Sequence, residues 1–180
     1  MARLSIGDTA KPFNLLGSDS KKHLLADYSG RSVIALIFTC NHCPYAQAWE
    51  DRLIRLQSDY AGRDVQLLAV NSNDPNQYPE DSYEKMKERV EEKGFNFPYL
   101  HDGDQSLARD YGAERTPEVF LFDGEGTLRY HGAIDDNYED SSAVQQDYLR
   151  DAIEAVLDGR DPETAETELV GCSLKWKRHT

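Results

Sequence analysis

The segment SVIALIFTCNHCPYAQAW, Ser32 to Trp49, changes its apolar period halfway along, and that change fixes the architecture around it. Ser32 to Phe38 is a continuous apolar run of strand length bounded by Gly30, the pattern of a strand buried on both faces of a sheet. From Ala46 the apolar positions Ala46, Trp49, Leu53, Leu56 and Tyr60 recur at spacings of three and four, which predicts an amphipathic helix ended by Gly62. Cys40-Asn41-His42-Cys43 therefore falls between the carboxyl end of a strand and the start of a helix, with Pro44 suited to the first helical turn. Val65 to Val70 is a second apolar run, and strand, helix, strand in that order implies a right-handed parallel crossover.

Working outward, Pro12 to Leu25 carries short apolar pieces around Gly17, Ser18, Asp19 and Ser20, which predicts a leading hairpin. Beyond the crossover, Tyr83, Met86 and Val90 mark a charged helix stopped by Gly94, and Phe97 to Leu100 reads as a short strand. Asp104 is placed to cap a brief helix through Leu107, Ala108 and Tyr111 that Gly112 closes. Val119 to Phe122 and Leu128 to His131 form a hairpin across Asp123-Gly124-Glu125-Gly126. Val144, Tyr148, Ala152, Ile153 and Val156 give a last helix, with Gly159 and Pro162 past its end. The expected class is α/β, a central mixed sheet with helices on both faces. Residues 1–162 are expected to form one domain, and residues 163–180 a C-terminal tail packing on it.

The chain's 180 residues, 39% of them hydrophobic, suit a single core. With 33 acidic against 20 basic residues the formal net charge is -13, which repels polyanions and makes nucleic acid a poor partner. The acidic residues are scattered, as in Asp81 to Glu92 and Asp135 to Asp140, which reads as a solubilising surface or as adaptation to high salt. Asp102, Asp104, Asp135, Asp136 and Glu139 lack EF-hand spacing and join that surface, while His101 and His131 read as ordinary strand-end histidines. No run of about 18 apolar residues exists and Met1 to Ala10 lack a secretory pattern, so no membrane association and a cytoplasmic location are expected. P-loop and dinucleotide fingerprints are absent, so no cofactor is expected.

Three cysteines occur, Cys40, Cys43 and Cys172. A thiolate at a helix N-terminus is stabilised by free backbone N–H groups and the positive end of the macrodipole, and His42 can add charge or a hydrogen bond. The two-residue spacing lets the second thiol resolve a mixed disulfide within the same turn, so the pattern is that of a redox dithiol. Zinc would need two further ligands that no second motif supplies, and Pro44 after Cys43 rules out haem attachment of the C-x-x-C-H type. Metal binding or redox sensing without turnover remains the reading from a different class, and no metal is expected. Thr116-Pro117 directly precedes the strand at Val119, where a proline without an N–H fits a strand's beginning. Cys172 is either a small apolar residue packing the tail or a third redox thiol that returns to the dithiol.

A C-x-x-C after the first core strand together with Thr116-Pro117 before a later one resembles the thioredoxin superfamily. The extra helix and strand between Val70 and Leu100, with the leading hairpin, resemble its peroxiredoxin-like branch, the alkyl hydroperoxide reductase and thiol-specific antioxidant (AhpC/TSA, redoxin) family. FTCNHCPY and VGCSLKWK look like an uncharacterised peroxiredoxin-like group within it, and the likeness covers nearly the whole chain. The resemblance implies a thioredoxin fold with a peroxiredoxin-like insertion, a cis-proline beside the dithiol, and a groove at Thr116 and Pro117 where a substrate's extended chain pairs. As implied, Cys40 attacks a disulfide, Cys43 resolves the intermediate and His42 tunes the thiolate, so that the couple is less reducing than a thioredoxin's. The competing alignment makes Cys43 the peroxidatic cysteine of a thiol peroxidase, with Arg115 as the candidate peroxide contact and Cys40 standing where the family's threonine belongs. The expected partners are a disulfide-containing protein or small thiol, or a peroxide, with electrons from a thioredoxin-type or small-thiol reductant; a homodimer is also compatible.

Overall fold

The computed structural model describes residues 2–178. Strands β1 (Asn14–Gly17), β2 (Lys22–Leu24), β3 (Val33–Thr39), β4 (Val65–Asn71), β5 (Tyr99–His101), β7 (Glu118–Asp123) and β8 (Leu128–Gly132) form one mixed sheet in the order β2-β1-β5-β4-β3-β7-β8. A second, two-stranded sheet pairs β6 (Arg115–Thr116) with β9 (Cys172–Ser173). Four α-helices accompany them: α1 (Pro44–Tyr60), α2 (Tyr83–Lys93), α3 (Ser106–Tyr111) and α4 (Tyr148–Leu157).

β3 is central, parallel to β4 and antiparallel to β7, and all seven of its residues are buried. Its alternating side chains build both halves of the core, as a pleated strand covered on two faces requires. Val33, Ala35 and Ile37 pack with Trp49, Leu53 and Leu56 of α1, Met86 of α2 and Ile153 of α4. Ile34, Leu36 and Phe38 pack with Leu107 and Tyr111 of α3, with Leu4 and Phe13 near the N-terminus, and with Leu174 of the tail. Each large side chain buried this way contributes roughly 1.5–3 kcal/mol, so β3 is the axis of the domain.

Four sequence expectations require correction. Val144 lies outside α4, on the loop after a short 3₁₀ turn at Ser141–Ala143; apolar spacing alone carried the predicted helix too far. The start of α3 is held mainly by Asp102, whose buried carboxylate accepts from Leu107 and Ala108 N–H at 3.2 and 2.9 Å and from the Ser72 hydroxyl at 2.7 Å. Asp104 accepts from Ser106 N–H. The acidic residues are not uniformly a solvated face: Asp81, Asp102 and Asp135 are buried, Asp135 against Arg52 at 2.8 Å. Nor is His131 an ordinary strand-end residue, since it is buried and meets the buried Glu118 carboxylate at 3.1 Å.

Near its end the chain is held down: Leu174 is buried, Leu174 N–H donates to Glu114 O, Lys175 N–H to Asn73 Oδ1, and Asp74 N–H to Lys175 O. Its last two residues, His179 and Thr180, lie outside the described residues. Among the described residues no helix is long and apolar enough to cross a membrane.

Candidate dithiol site

The site forms where the C-terminal ends of β3 and β4 meet the start of α1. Thr39 ends β3, residues 40–43 turn over the sheet edge, and Cys43 is the N-cap of α1 with Pro44 as its first helical residue. Both cysteines are free and buried, and the Thr116-Pro117 peptide beside them is cis. The Cys40 sulfur lies 3.5 Å from the Thr116 hydroxyl, and the Cys43 thiol, when protonated, reaches Thr116 O at 3.5 Å. The structure thus places Thr116, with Pro117 after it, beside both sulfurs.

The two thiols are pushed in opposite directions. Cys43 is held well below the usual thiol range, chiefly by the Cys40 thiol, with further help from the Cys172 thiol and from the backbone N–H groups of Ala46 and Cys172; burial opposes them. Cys40 is pushed up, first by its hydrogen bond to Cys43, then by burial and by the negative charge of Asp81. The surroundings thus favour the anion on Cys43 over Cys40. The sequence reading expects the attacking thiolate at Cys40.

His42 does not face the Cys43 sulfur. Its Nδ1 abuts the Asp81 carboxylate and its ring stacks on Tyr78 with centroids 5.3 Å apart. Arg115 is exposed on β6, and its charge acts on Cys172. Cys172, expected either to pack the tail or to return to the dithiol as a third redox thiol, stands opposite Thr116 in the β6–β9 pair, half-buried and against Cys43. Its thiol is pushed up to about 11 by burial and by the neighbouring Cys43.

Two residues that the sequence reading did not single out organise this site. Asp81 accepts from Asn41 N–H at 2.7 Å, from Asn71 Nδ2 at 3.2 Å and from Asn73 Nδ2 at 3.0 Å, tying the 40–43 turn to the end of β4. Glu118 accepts from the N–H groups of Glu114 and Arg115, fixing the backbone that enters β6. A run of Asn71, Ser72, Asn73 and Asp74 after an apolar strand was the available signal for a buried polar hub. Cys40, His42 and Asp81 also bring one sulfur, one nitrogen and one carboxylate oxygen within 4.8 Å of one another, donor types that suit a divalent transition metal.

The depressed thiolate has a measurable consequence. The folded pKa of Cys43, about 4, lies below that of an unfolded thiol, about 8.5, so its contribution to stability is full above the unfolded value and is lost as pH falls toward about 4. The ultraviolet thiolate band of the reduced protein is expected to persist through mildly acidic pH and to vanish in Cys43→Ser. A band that grows in only above pH 8 excludes the Cys43 thiolate.

Comparison with known proteins extends the picture. The AhpC/TSA family profile matches residues 6–131. A thiol-disulfide oxidoreductase ResA of Geobacillus thermodenitrificans is 29% identical over 126 residues, 70% of this chain and 68% of that one. A Mycobacterium tuberculosis protein provisionally named a peroxiredoxin is 26% identical over 150 residues, 81% of this chain and 86% of that one. The crystal structure of an uncharacterized conserved protein from Geobacillus kaustophilus superposes with a TM-score of 0.91 at 38% identity, covering 98% of this chain and 94% of that chain.

Proposed function

From the fact that the chain belongs to the AhpC/TSA family and has the thioredoxin fold, we propose that it is a thiol-disulfide oxidoreductase whose working couple is Cys40 and Cys43. Its relatives carry thioredoxin-like redox functions by name, among them a thiol-disulfide oxidoreductase and a provisional peroxiredoxin. The observation that carries the finer reading is the pair of free, buried cysteines at a helix N-cap, each sulfur 3.5 Å from Thr116. A thiolate with a second thiol at its side can attack a disulfide and then expel the product by attack of that second thiol within the same turn.

In the proposed sequence the Cys43 thiolate attacks one sulfur of a substrate disulfide, forming a mixed disulfide and releasing the other sulfur as a thiolate. Cys40 gives its proton to that leaving group and attacks the Cys43 sulfur; the Cys40–Cys43 disulfide forms and the second substrate thiolate departs. Thr116 and Pro117 border the sulfurs and shape the approach. Asp81, with His42 against it, positions the turn. The substrate class is a protein or small-molecule disulfide, and the net charge of -13 favours a partner with a basic surface. Because the reduced form is stabilised by its thiolate, the couple is expected to be more oxidising than that of thioredoxin, about -270 mV.

The competing peroxidase reading also uses Cys43, and its depressed pKa favours it, but the exposed Arg115 offers that sulfur no evident peroxide clamp. One experiment separates the two. Fully reduced protein is mixed in parallel with oxidised glutathione and with hydrogen peroxide, and thiol loss is followed by alkylation and intact mass. Rapid formation of one disulfide with glutathione, and a peroxide rate no greater than a free thiol's at matched thiolate concentration, is expected. Peroxide oxidation faster by orders of magnitude would replace the exchange assignment with the peroxidase one.

A further inference from the structure

Neither sulfur of the Cys40–Cys43 pair reaches solvent, since both residues are 1% exposed or less. A protein thiol arriving from outside cannot touch them in this arrangement. Cys172 is the half-buried cysteine, and it stands between them and the surface.

The tail occupies that place in a built fashion. β9 pairs antiparallel with β6, with Cys172 opposite Thr116 and Ser173 opposite Arg115, so the tail fills the strand-pairing edge that leads into Pro117. The thiol and the backbone N–H of Cys172 both face Cys43. Gly171 allows this approach: a Cβ on it would lie 2.2 Å from Thr116 O and 2.8 Å from Thr116 C. Beyond Cys172 the chain is strapped down by Leu174 N–H to Glu114 O at 2.9 Å, Lys175 N–H to Asn73 Oδ1 at 2.9 Å, and Gln105 Nε2 to Lys175 O at 3.0 Å. A segment that only covered apolar surface would need Leu174 and none of this register.

We propose that β9 lies in the groove as an internal exchange partner, and that Cys172 carries the redox state of the buried pair to the surface through a Cys43–Cys172 disulfide. The proposal rests on the reading of Cys40 and Cys43 as an exchange couple. The oxidising equivalent comes from the substrate disulfide, which leaves the Cys40–Cys43 bond behind as described above. Cys172 loses its proton to water and attacks the Cys43 sulfur; the Cys43–Cys172 bond forms, the Cys40–Cys43 bond breaks, and Cys40 leaves as a thiolate that takes up a proton. No net oxidation occurs in this step. An external thiol then attacks the half-buried Cys172 sulfur, Cys43 departs as its stabilised thiolate, and a second external thiol releases Cys172. Electrons thus enter at the tail, while substrate disulfides are met by Cys43 when β9 lifts from β6.

Trypsin separates the two possible bonds cleanly, because Cys40 and Cys43 share the peptide from Ser32 to Arg52 whereas Cys172 lies on that from Asp161 to Lys175. The test treats the reduced full chain with one equivalent of oxidised glutathione, quenches with acid, alkylates, and maps disulfides by mass. Wild type is expected to show both the Cys40–Cys43 bond and the cross-link between the two peptides. Cys40→Ser is expected to accumulate the cross-link as its main product. Gly171→Val, which displaces β9, is expected to lower the cross-linked fraction at least about tenfold while keeping the Cys40–Cys43 bond, because positioning of the third thiol is lost. If Cys40→Ser ends with glutathione on Cys43 and a free Cys172, or if Gly171→Val cross-links as well as wild type, the relay is overturned and the exchange reading stands. If wild type forms no disulfide at all, the exchange reading fails and the relay falls with it.

Discussion

Cys43→Ser is expected to lower the rate of disulfide reduction by on the order of 10³-fold or more, because a serine hydroxyl supplies almost no anion at neutral pH and the attacking group is removed outright. Cys40→Ser is expected to behave differently: the first attack survives, resolution by Cys40 is lost, and glutathione-modified or Cys172-bridged protein accumulates. The measurement is the single-turnover consumption of oxidised glutathione by each reduced variant, with the adduct located by mass. The donors around Cys43 include the Cys40 thiol, the Cys172 thiol and the N–H groups of Ala46 and Cys172. Cys40 has instead a carboxylate, Asp81, raising the cost of its anion. Should Cys43→Ser keep the first attack and Cys40→Ser abolish it, the roles revert to the order that thioredoxin-type enzymes imply.

Asp81→Ala is expected to be the most damaging change to stability among the site residues, lowering it by about 3–5 kcal/mol. The carboxylate is fully buried and accepts from Asn41 N–H, Asn71 Nδ2 and Asn73 Nδ2, with His42 against it. Alanine leaves those donors buried without an acceptor and opens a cavity beneath the 40–43 turn. In a chain of this size that loss lowers the melting temperature by roughly 6–20 °C. Urea unfolding of the reduced variant checks the magnitude, and a loss below about 1 kcal/mol would mean that water replaces the carboxylate at no great cost.

What the sequence discloses and what it hides divide along the range of the interactions. The 32–49 segment is legible because strand, turn and helix each declare themselves locally, through an unbroken apolar run, the Cys40 to Pro44 turn and a helical period. The hairpin at Asp123 to Gly126 and the αL glycines 94 and 112 that close α2 and α3 are legible for the same reason. Asp81 is not, because its burial is created by Asn41, Asn71 and Asn73, which approach it only after β4 has paired with β3. In isolation PEDSYEK reads as a solvated helix start. The same holds for Asp102 against Asp104 as the anchor of α3, where the nearer residue has the right type and the farther one has the contact. Cys172 shows the limit most plainly: 129 positions separate it from Cys43, and no local pattern announces that the tail returns to β6.

The chain holds two tryptophans, and the fold has given them unequal surroundings. Trp49 is sealed inside the core on α1, whereas Trp176 lies 40% exposed on the tail, its carbonyl accepting from Gln77. An indole's emission follows the polarity around it, so departure of the tail alters one emitter and leaves the other as an internal standard. The protein therefore carries its own optical gauge of whether the strand bearing Cys172 is seated or released, without any added dye.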